Sequence, residues 1–120
     1  MASQSTKNDL ELIELMIEYC EAIQSDLTVV ENDIELFIEN EVIQRSCSFS
    51  LVQIGEYTKR LSDELRSKYK TIHWSGIAGL RDIIVHRYER VETKVLWDTI
   101  TIEVPILEDN LKMIEKELKR

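Results

Sequence analysis

The sequence predicts an all-α fold, and three observations support this prediction. The chain has 120 residues but only three glycines and one proline, so residues that favour turns are rare. Apolar residues recur at spacings of three and four, as in amphipathic helices, and no segment shows the alternation of a half-buried strand. Hydrophobic residues make up 43% of the chain, enough for the core of one domain over residues 1–120. We therefore expect an antiparallel four-helix bundle with a short accessory helix.

The first third of the chain predicts one long helix and one short one. The long helix is expected from about Asp9 to Ser25, with acidic residues on the face opposite its apolar stripe. The short helix is expected over 33–38, with Asn32 as its N-cap. The apolar stripe of the long helix consists of Leu12, Ile13, Met16, Ile17, Cys20 and Ile23.

A third helix is predicted from about Glu41 to Lys68. Gly55 lies within it and lowers helix stability, which indicates a close contact with another helix. The positions that recur at helical spacing are Ile43, Cys47, Ser50, Ile54, Tyr57 or Thr58, Leu61 and Leu65.

The last third of the chain predicts two more helices. One is expected from about Ser75 to Tyr88, and the last begins near Thr93. Pro105 lies inside the last helix and predicts a kink there, since proline removes one backbone hydrogen bond. The apolar positions of the last helix alternate spacings of three and four: Trp97, Ile100, Val104, Leu107, Leu111, Ile114 and Leu118.

Composition limits the classes of function. The net charge is −8, and residues 1–41 hold eleven acidic residues against the single base Lys7. This excess argues against capture of nucleic acid over a broad basic face, although a local RNA site in the remainder stays possible. The acidic segment is either a solvated helix face or a docking surface for a basic partner.

Cys20 and Cys47 lie on apolar stripes and predict reduced core thiols. With no apolar run of the ~18 residues that a membrane span requires, we expect a cytoplasmic protein without a membrane partner.

The chemistry is concentrated between Gly79 and Tyr88, where Arg81, His86 and Tyr88 form the pattern R-x4-H-x-Y. On a helix, Asp82 and His86 share one face, so Asp82 can fix the tautomer of the imidazole. Arg81 and His86 differ by ~140° around the axis, so both reach one point only beside the helix end or in a site completed by a second protomer. A guanidinium and an imidazole suit phosphodiester chemistry.

A purely structural interpretation of the motif is open at this point. Arg81 and His86 could satisfy the last carbonyl groups of a helix, and Tyr88 could be a half-buried anchor. His73 and His86 are the only histidines, and neither has cysteines or carboxylates around it at the spacing of metal ligands. We therefore expect neither a metal nor a cofactor.

Three segments resemble the HepT-like proteins, a prokaryotic branch of the HEPN superfamily, and the similarity covers roughly residues 8–115. The first is Trp74-Ser75-Gly76-Ile77-Ala78-Gly79-Leu80-Arg81-Asp82-Ile83-Ile84-Val85-His86-Arg87-Tyr88. The second is Ile54-Gly55-Glu56 followed by Lys59-Arg60-Leu61-Ser62. The third is Val95-Leu96-Trp97 with Val104-Pro105-Ile106-Leu107.

This resemblance implies an all-α protein that dimerises with its motif helices facing each other. It implies a metal-independent ribonuclease toxin with Arg81 and His86 as catalytic residues, supported by Asp82. It also implies a type VII-like toxin–antitoxin pair, in which a minimal nucleotidyltransferase antitoxin, MntA, silences the toxin by adding AMP to the motif tyrosine, here Tyr88.

Two classes of function are therefore expected. The first is a dimeric endoribonuclease whose shared cleft binds RNA, favoured by the intact Arg81 and His86 pair. The second is a non-catalytic helical subunit that a nucleotidyltransferase binds or modifies, favoured by the acidic N-terminal third.

Overall fold

The computed structural model describes residues 3–87 and 93–120, with side chains described outside residues 81–87. All regular structure in these ranges is helical, which confirms the predicted all-α class. The α-helices are α1 Gln4–Val29, α2 Ile34–Ile38, α3 Glu41–Arg60, α4 Asp63–Lys68, α5 Trp74–Arg87, α6 Thr93–Asp98 and α7 Val104–Leu118.

Helix α1 extends beyond both predicted ends. It begins after Ser3, whose hydroxyl accepts a hydrogen bond from the Thr6 amide, the contact of an N-cap.

The prediction that Asn32 caps the short helix α2 is wrong. Glu31 and Asn32 have φ values of 54° and 52°, a left-handed conformation that turns the chain after α1. Asp33 is the cap instead, since its carboxylate accepts from the Glu35 amide at 2.8 Å.

The predicted helix from Glu41 to Lys68 is wrong as a single element, because the chain leaves α3 at Leu61 and begins α4 after Ser62. The Ser62 hydroxyl accepts from the Leu65 amide and so caps α4. The same hydroxyl donates to the Asp9 carboxylate at 2.6 Å, and the Ser62 amide donates to Asp9 at 2.9 Å. A contact from α1 thus stabilises the break.

The bundle is built by α1 packing against α3 and α7, and by α3 packing against α5. The predicted stripes face this core: all six stripe residues of α1 are buried, and on α3 it is Thr58 rather than Tyr57 that is fully buried. Gly55 is also buried on α3. Cys20 and Cys47 are buried free thiols, as predicted. Burial raises the pKa of each thiol to about 12, so both stay protonated at neutral pH.

The disturbance predicted near Pro105 takes the form of a π-helical turn, Thr99–Glu103, between α6 and α7. The Val104 amide donates to the Thr99 carbonyl, five residues back, directly before the proline that has no N–H to donate. The predicted apolar seam persists through the turn, with Ile100, Val104, Leu107, Leu111 and Ile114 buried. Across the part of the chain that the structure describes, none of the helices is both long and apolar enough to span a bilayer.

The Asp9 contact generates a test of the fold. Asp9→Ala leaves the Ser62 amide and hydroxyl without their acceptor, which should lower the free energy of unfolding by about 1–3 kcal/mol. Urea unfolding followed by circular dichroism measures this change. Glu11→Ala, which removes an exposed carboxylate from the same helix, is the matched control and should change stability by less than about 0.5 kcal/mol. Equal stability of the two variants would refute the role given to Asp9.

Candidate active site

Helix α5 carries the motif positions, and its backbone is continuous through Arg81, Asp82 and His86. Its regular geometry places position 81 ~40° from Ile77 around the axis and position 86 ~180° from Ile77. Asp82 and His86 share a face, as predicted, because they are four residues apart. One copy of α5 therefore holds the arginine and histidine positions on different faces. Tyr88, the predicted modification site, lies outside the described residues.

The start of α5 is fixed by a chain of hydrogen bonds that reaches α7. The buried Trp74 donates its indole N–H to the Tyr69 carbonyl at 3.1 Å. The Tyr69 hydroxyl donates in turn to the Glu117 carboxylate on α7. Burial, together with this hydrogen bond, raises the pKa of the Tyr69 phenol to about 12, so the donor stays protonated at neutral pH. These contacts tie the motif helix to the bundle about two turns before Arg81.

A cavity of about 380 Å³ lies between α5 and the π-helical turn with α7. Ile77 and Leu80 line it from α5, and Leu80 directly precedes Arg81. Its polar lining includes His73, Glu103 and Asn110. A Cβ atom built on Gly76 would lie 2.8 Å from His73 Nδ1, so the imidazole covers the first turn of α5.

Sequence reasoning missed this cavity. Its polar residues come from three separated segments, and no local motif connects them.

A second feature is an exposed apolar groove on α6 and the π-helical turn. Val95 and Ile102 are 53% and 58% exposed and line this groove with Asp98. Thr99 and Glu103 line both the groove and the cavity, so they form the ridge that separates the two. Through this ridge the groove adjoins the cavity that Ile77 and Leu80 line from α5.

Among the side chains that the structure describes, no group of three or more histidine, cysteine, aspartate or glutamate residues could hold a metal ion.

Comparison with known proteins assigns the family. The family model described as "Ribonuclease HepT-like" matches residues 10–114, nearly the whole chain. The chain belongs to the HepT-like ribonuclease family. Its enzyme class is therefore that of an endoribonuclease.

Individual relatives agree with this HepT-like assignment. A candidate RNase from Caldanaerobacter subterraneus subsp. tengcongensis is 39% identical over 84 residues, covering 69% of this chain and 75% of the relative. A candidate RNase from Methanocaldococcus jannaschii is 33% identical over 87 residues, covering 72% of this chain and 75% of the relative. A protein named "probable ribonuclease HepT" from Thermococcus cleftensis is 25% identical over 104 residues, covering 82% of this chain and 94% of the relative. None of the solved structures matches this chain.

The anchoring of the HepT-like motif helix generates a second test. Trp74→Phe keeps an aromatic ring but removes the indole N–H that reaches Tyr69, which should lower the free energy of unfolding by about 1 kcal/mol. It should also speed amide hydrogen exchange in the first turns of α5. Trp97→Phe is the matched control, because Trp97 packs on Phe37 with ring centroids 5.1 Å apart and lies outside α5. If exchange in α5 increases equally in both variants, the indole hydrogen bond does not anchor this helix.

Proposed function

We propose that this protein is a cytoplasmic, metal-independent endoribonuclease toxin that cleaves RNA at a cleft shared by two protomers. The observation that carries the proposal is the single continuous helix α5, which holds the positions of Arg81, Asp82 and His86 in a member of the HepT-like ribonuclease family. These three residue types supply the charge stabilisation and proton transfer that phosphodiester cleavage requires.

The proposed reaction is transesterification within the RNA backbone. The 2′-oxygen attacks the adjacent phosphorus, and the bond from phosphorus to the 5′-oxygen breaks. His86 accepts the proton of the 2′-hydroxyl and returns a proton to the leaving 5′-oxygen. Arg81 neutralises the charge that develops on the phosphoryl oxygens. Asp82 is a positioning residue that orients the His86 ring, since it lies one turn earlier on the same face. The products are a 2′,3′-cyclic phosphate and a 5′-hydroxyl.

The proposed dimer follows from the separation of the motif positions. At ~140° apart on one helix, Arg81 and His86 are more readily combined from two copies of α5 than from one. The exposed apolar groove of Val95 and Ile102 supports this arrangement, because it adjoins the cavity that α5 lines and gains from burial against a second copy. We therefore place an isologous interface along the groove and the motif helix.

The catalytic assignment predicts that Arg81→Ala and His86→Ala each lower RNA cleavage by at least about 100-fold. Both variants should keep the helical circular dichroism of the parent protein. Cleavage by the parent should continue in EDTA and leave 2′,3′-cyclic phosphate ends, as end-labelled RNA will reveal. Cleavage at the parent rate by both variants would overturn the nuclease proposal.

The proposed interface predicts that Val95→Glu and Ile102→Glu each weaken dimerisation by about ten-fold or more, because an unpaired carboxylate is costly to bury. Sedimentation across a concentration series measures the association constant. Val42→Glu is the matched control: Val42 is 65% exposed on α3, outside the proposed interface, and the change should not alter association. A parent protein that stays monomeric at micromolar concentration contradicts the dimer.

We further propose that Tyr88 is the regulatory switch, esterified with AMP by an MntA-like nucleotidyltransferase antitoxin. Tyr88 lies two residues after His86, so the modification would bring a phosphate and a bulky base next to the motif. The added anion would pair with Arg81 and repel the phosphates of the substrate.

Tyr88→Phe tests the switch, since it keeps the ring and removes the acceptor oxygen. The variant should fold, retain cleavage at least in part, and resist silencing by the partner enzyme with ATP. Mass spectrometry of the parent protein should place AMP-sized additions on the Tyr88 peptide. Additions on other peptides, or normal silencing of the Phe variant, would rule the switch out.

The alternative function is a non-catalytic subunit of a nucleotidyltransferase complex. The observation that favours it is the acidic face of α1, where Glu11, Glu18 and Glu21 are exposed to solvent. Such a face suits a basic protein partner better than RNA. This function takes precedence if the protein forms a stable complex with the nucleotidyltransferase but cleaves no RNA.

A further inference from the structure

The cavity between α5 and α7 adjoins the motif along the helix that carries it. Ile77 and Leu80 form part of its wall, and position 81 follows Leu80 directly. Ile77 and Arg81 are four residues apart and therefore share a helix face. A ligand in the cavity would thus lie beside the position of Arg81, whereas Asp82 and His86 lie on the opposite side of α5.

The lining of the cavity combines apolar walls with a few polar groups, as in sites that bind small planar ligands. Leu51, Ile77 and Leu107 supply apolar surface, and the 60% exposed Ile106 stands at the rim. Asn110 offers an amide that both donates and accepts hydrogen bonds, and Glu103 offers a carboxylate that only accepts.

The negative charge of Glu103 determines which part of an RNA chain can occupy the cavity. A carboxylate repels phosphate groups, so the backbone is a poor occupant of this cavity. A nucleobase suits it better, because its faces are apolar enough for the walls and its edge carries N–H donors. Among the side chains that the structure describes, none forms an ion pair with Glu103.

The π-helical turn places Glu103 at this wall. Thr99 and Glu103 are its first and last residues, and both line the cavity. π-Helical turns replace regular α-helical pairing at a local cost and recur at functional sites. Here the turn widens the helix on the wall of the cavity that faces Ile77 and Leu80, which favours a ligand site.

We propose that this cavity binds one nucleobase of the RNA substrate, next to the phosphate that Arg81 contacts, and that Glu103 selects a base with an exocyclic amino group. The inference rests on the proposed ribonuclease function. Adenine, cytosine and guanine can donate an amino N–H to the Glu103 carboxylate, with Asn110 completing the contact to the base edge. Uracil has no amino group, and its single N–H lies between two carbonyl oxygens that the carboxylate repels. Cleavage should therefore be selective at one position beside the scissile bond.

Sequencing of cleavage products from a randomised RNA tests the selectivity. The parent protein should cut sites with uracil at that position roughly ten-fold less often than the others. Glu103→Gln should remove this discrimination, because a carboxamide can also donate to a carbonyl oxygen of uracil. Asp109→Asn is the control, since it makes the same charge change at an exposed position of α7 outside the cavity lining and should leave the profile unchanged. A profile that Glu103→Gln does not alter overturns the proposal.

A binding measurement separates this proposal from the ribonuclease function. The side-chain amide of Asn110 and the backbone amide of Gly76 should shift in NMR spectra of the parent protein on titration with AMP, CMP or GMP, and much less with UMP. These shifts without any RNA cleavage would support the base site and reject the nuclease. Cleavage without shifts from any nucleotide would reject the base site alone. Shifts that depend on the concentration of the protein instead of the concentration of the nucleotide would identify the cavity as a contact between protomers. That result would also reject the base site.

Discussion

The periodicity of helix α5 constrains every account of the site. A regular helix turns 100° per residue, so positions 81 and 86 cannot share a face, whereas positions 82 and 86 must. The arginine and the histidine are thus distributed over two sides of one rigid element. A protein that uses both on one phosphate combines them beside the helix end or, as we propose, from two copies of this helix, and the exposed Val95 and Ile102 offer a surface on which a second copy can lie.

The rest of the fold holds α5 in place. The helix packs on α3, and its first residue is tied through Tyr69 to Glu117 on α7. The break between α3 and α4 allows this geometry, because it turns the chain back before the motif helix begins, and Asp9 on α1 stabilises it. Between α5 and α7 the packing leaves the cavity instead of a continuous core. The bundle therefore fixes the motif helix against α3 and leaves space for a ligand between α5 and α7.

The sequence predicted what depends on local periodicity and missed what depends on distant contacts. The buried stripes of α1 and α7 followed from apolar spacing, because one helix face meets the core. The end of α3 at Leu61 did not follow from apolar spacing, since it depends on the Asp9 carboxylate of α1, which hydrogen-bonds to Ser62, 53 residues away. The cavity was also missed, because Glu103 and His73 come together only through tertiary packing. Pro105 predicted a disturbance of the last helix but not its π-helical form. The motif was found at once, since its three residues lie within eight positions on one segment.

In the proposed dimer, each active cleft takes Arg81 from one protomer and His86 from the other. Mixing the Arg81→Ala and His86→Ala proteins, after subunit exchange, tests it most directly. Each variant alone should be inactive, but half of a random mixture is heterodimer, and each heterodimer rebuilds one intact cleft out of two. The account predicts recovery of about one quarter of the parent cleavage rate per protomer. A mixture that exchanges subunits and stays inactive would show that both residues act within one chain, contrary to the account.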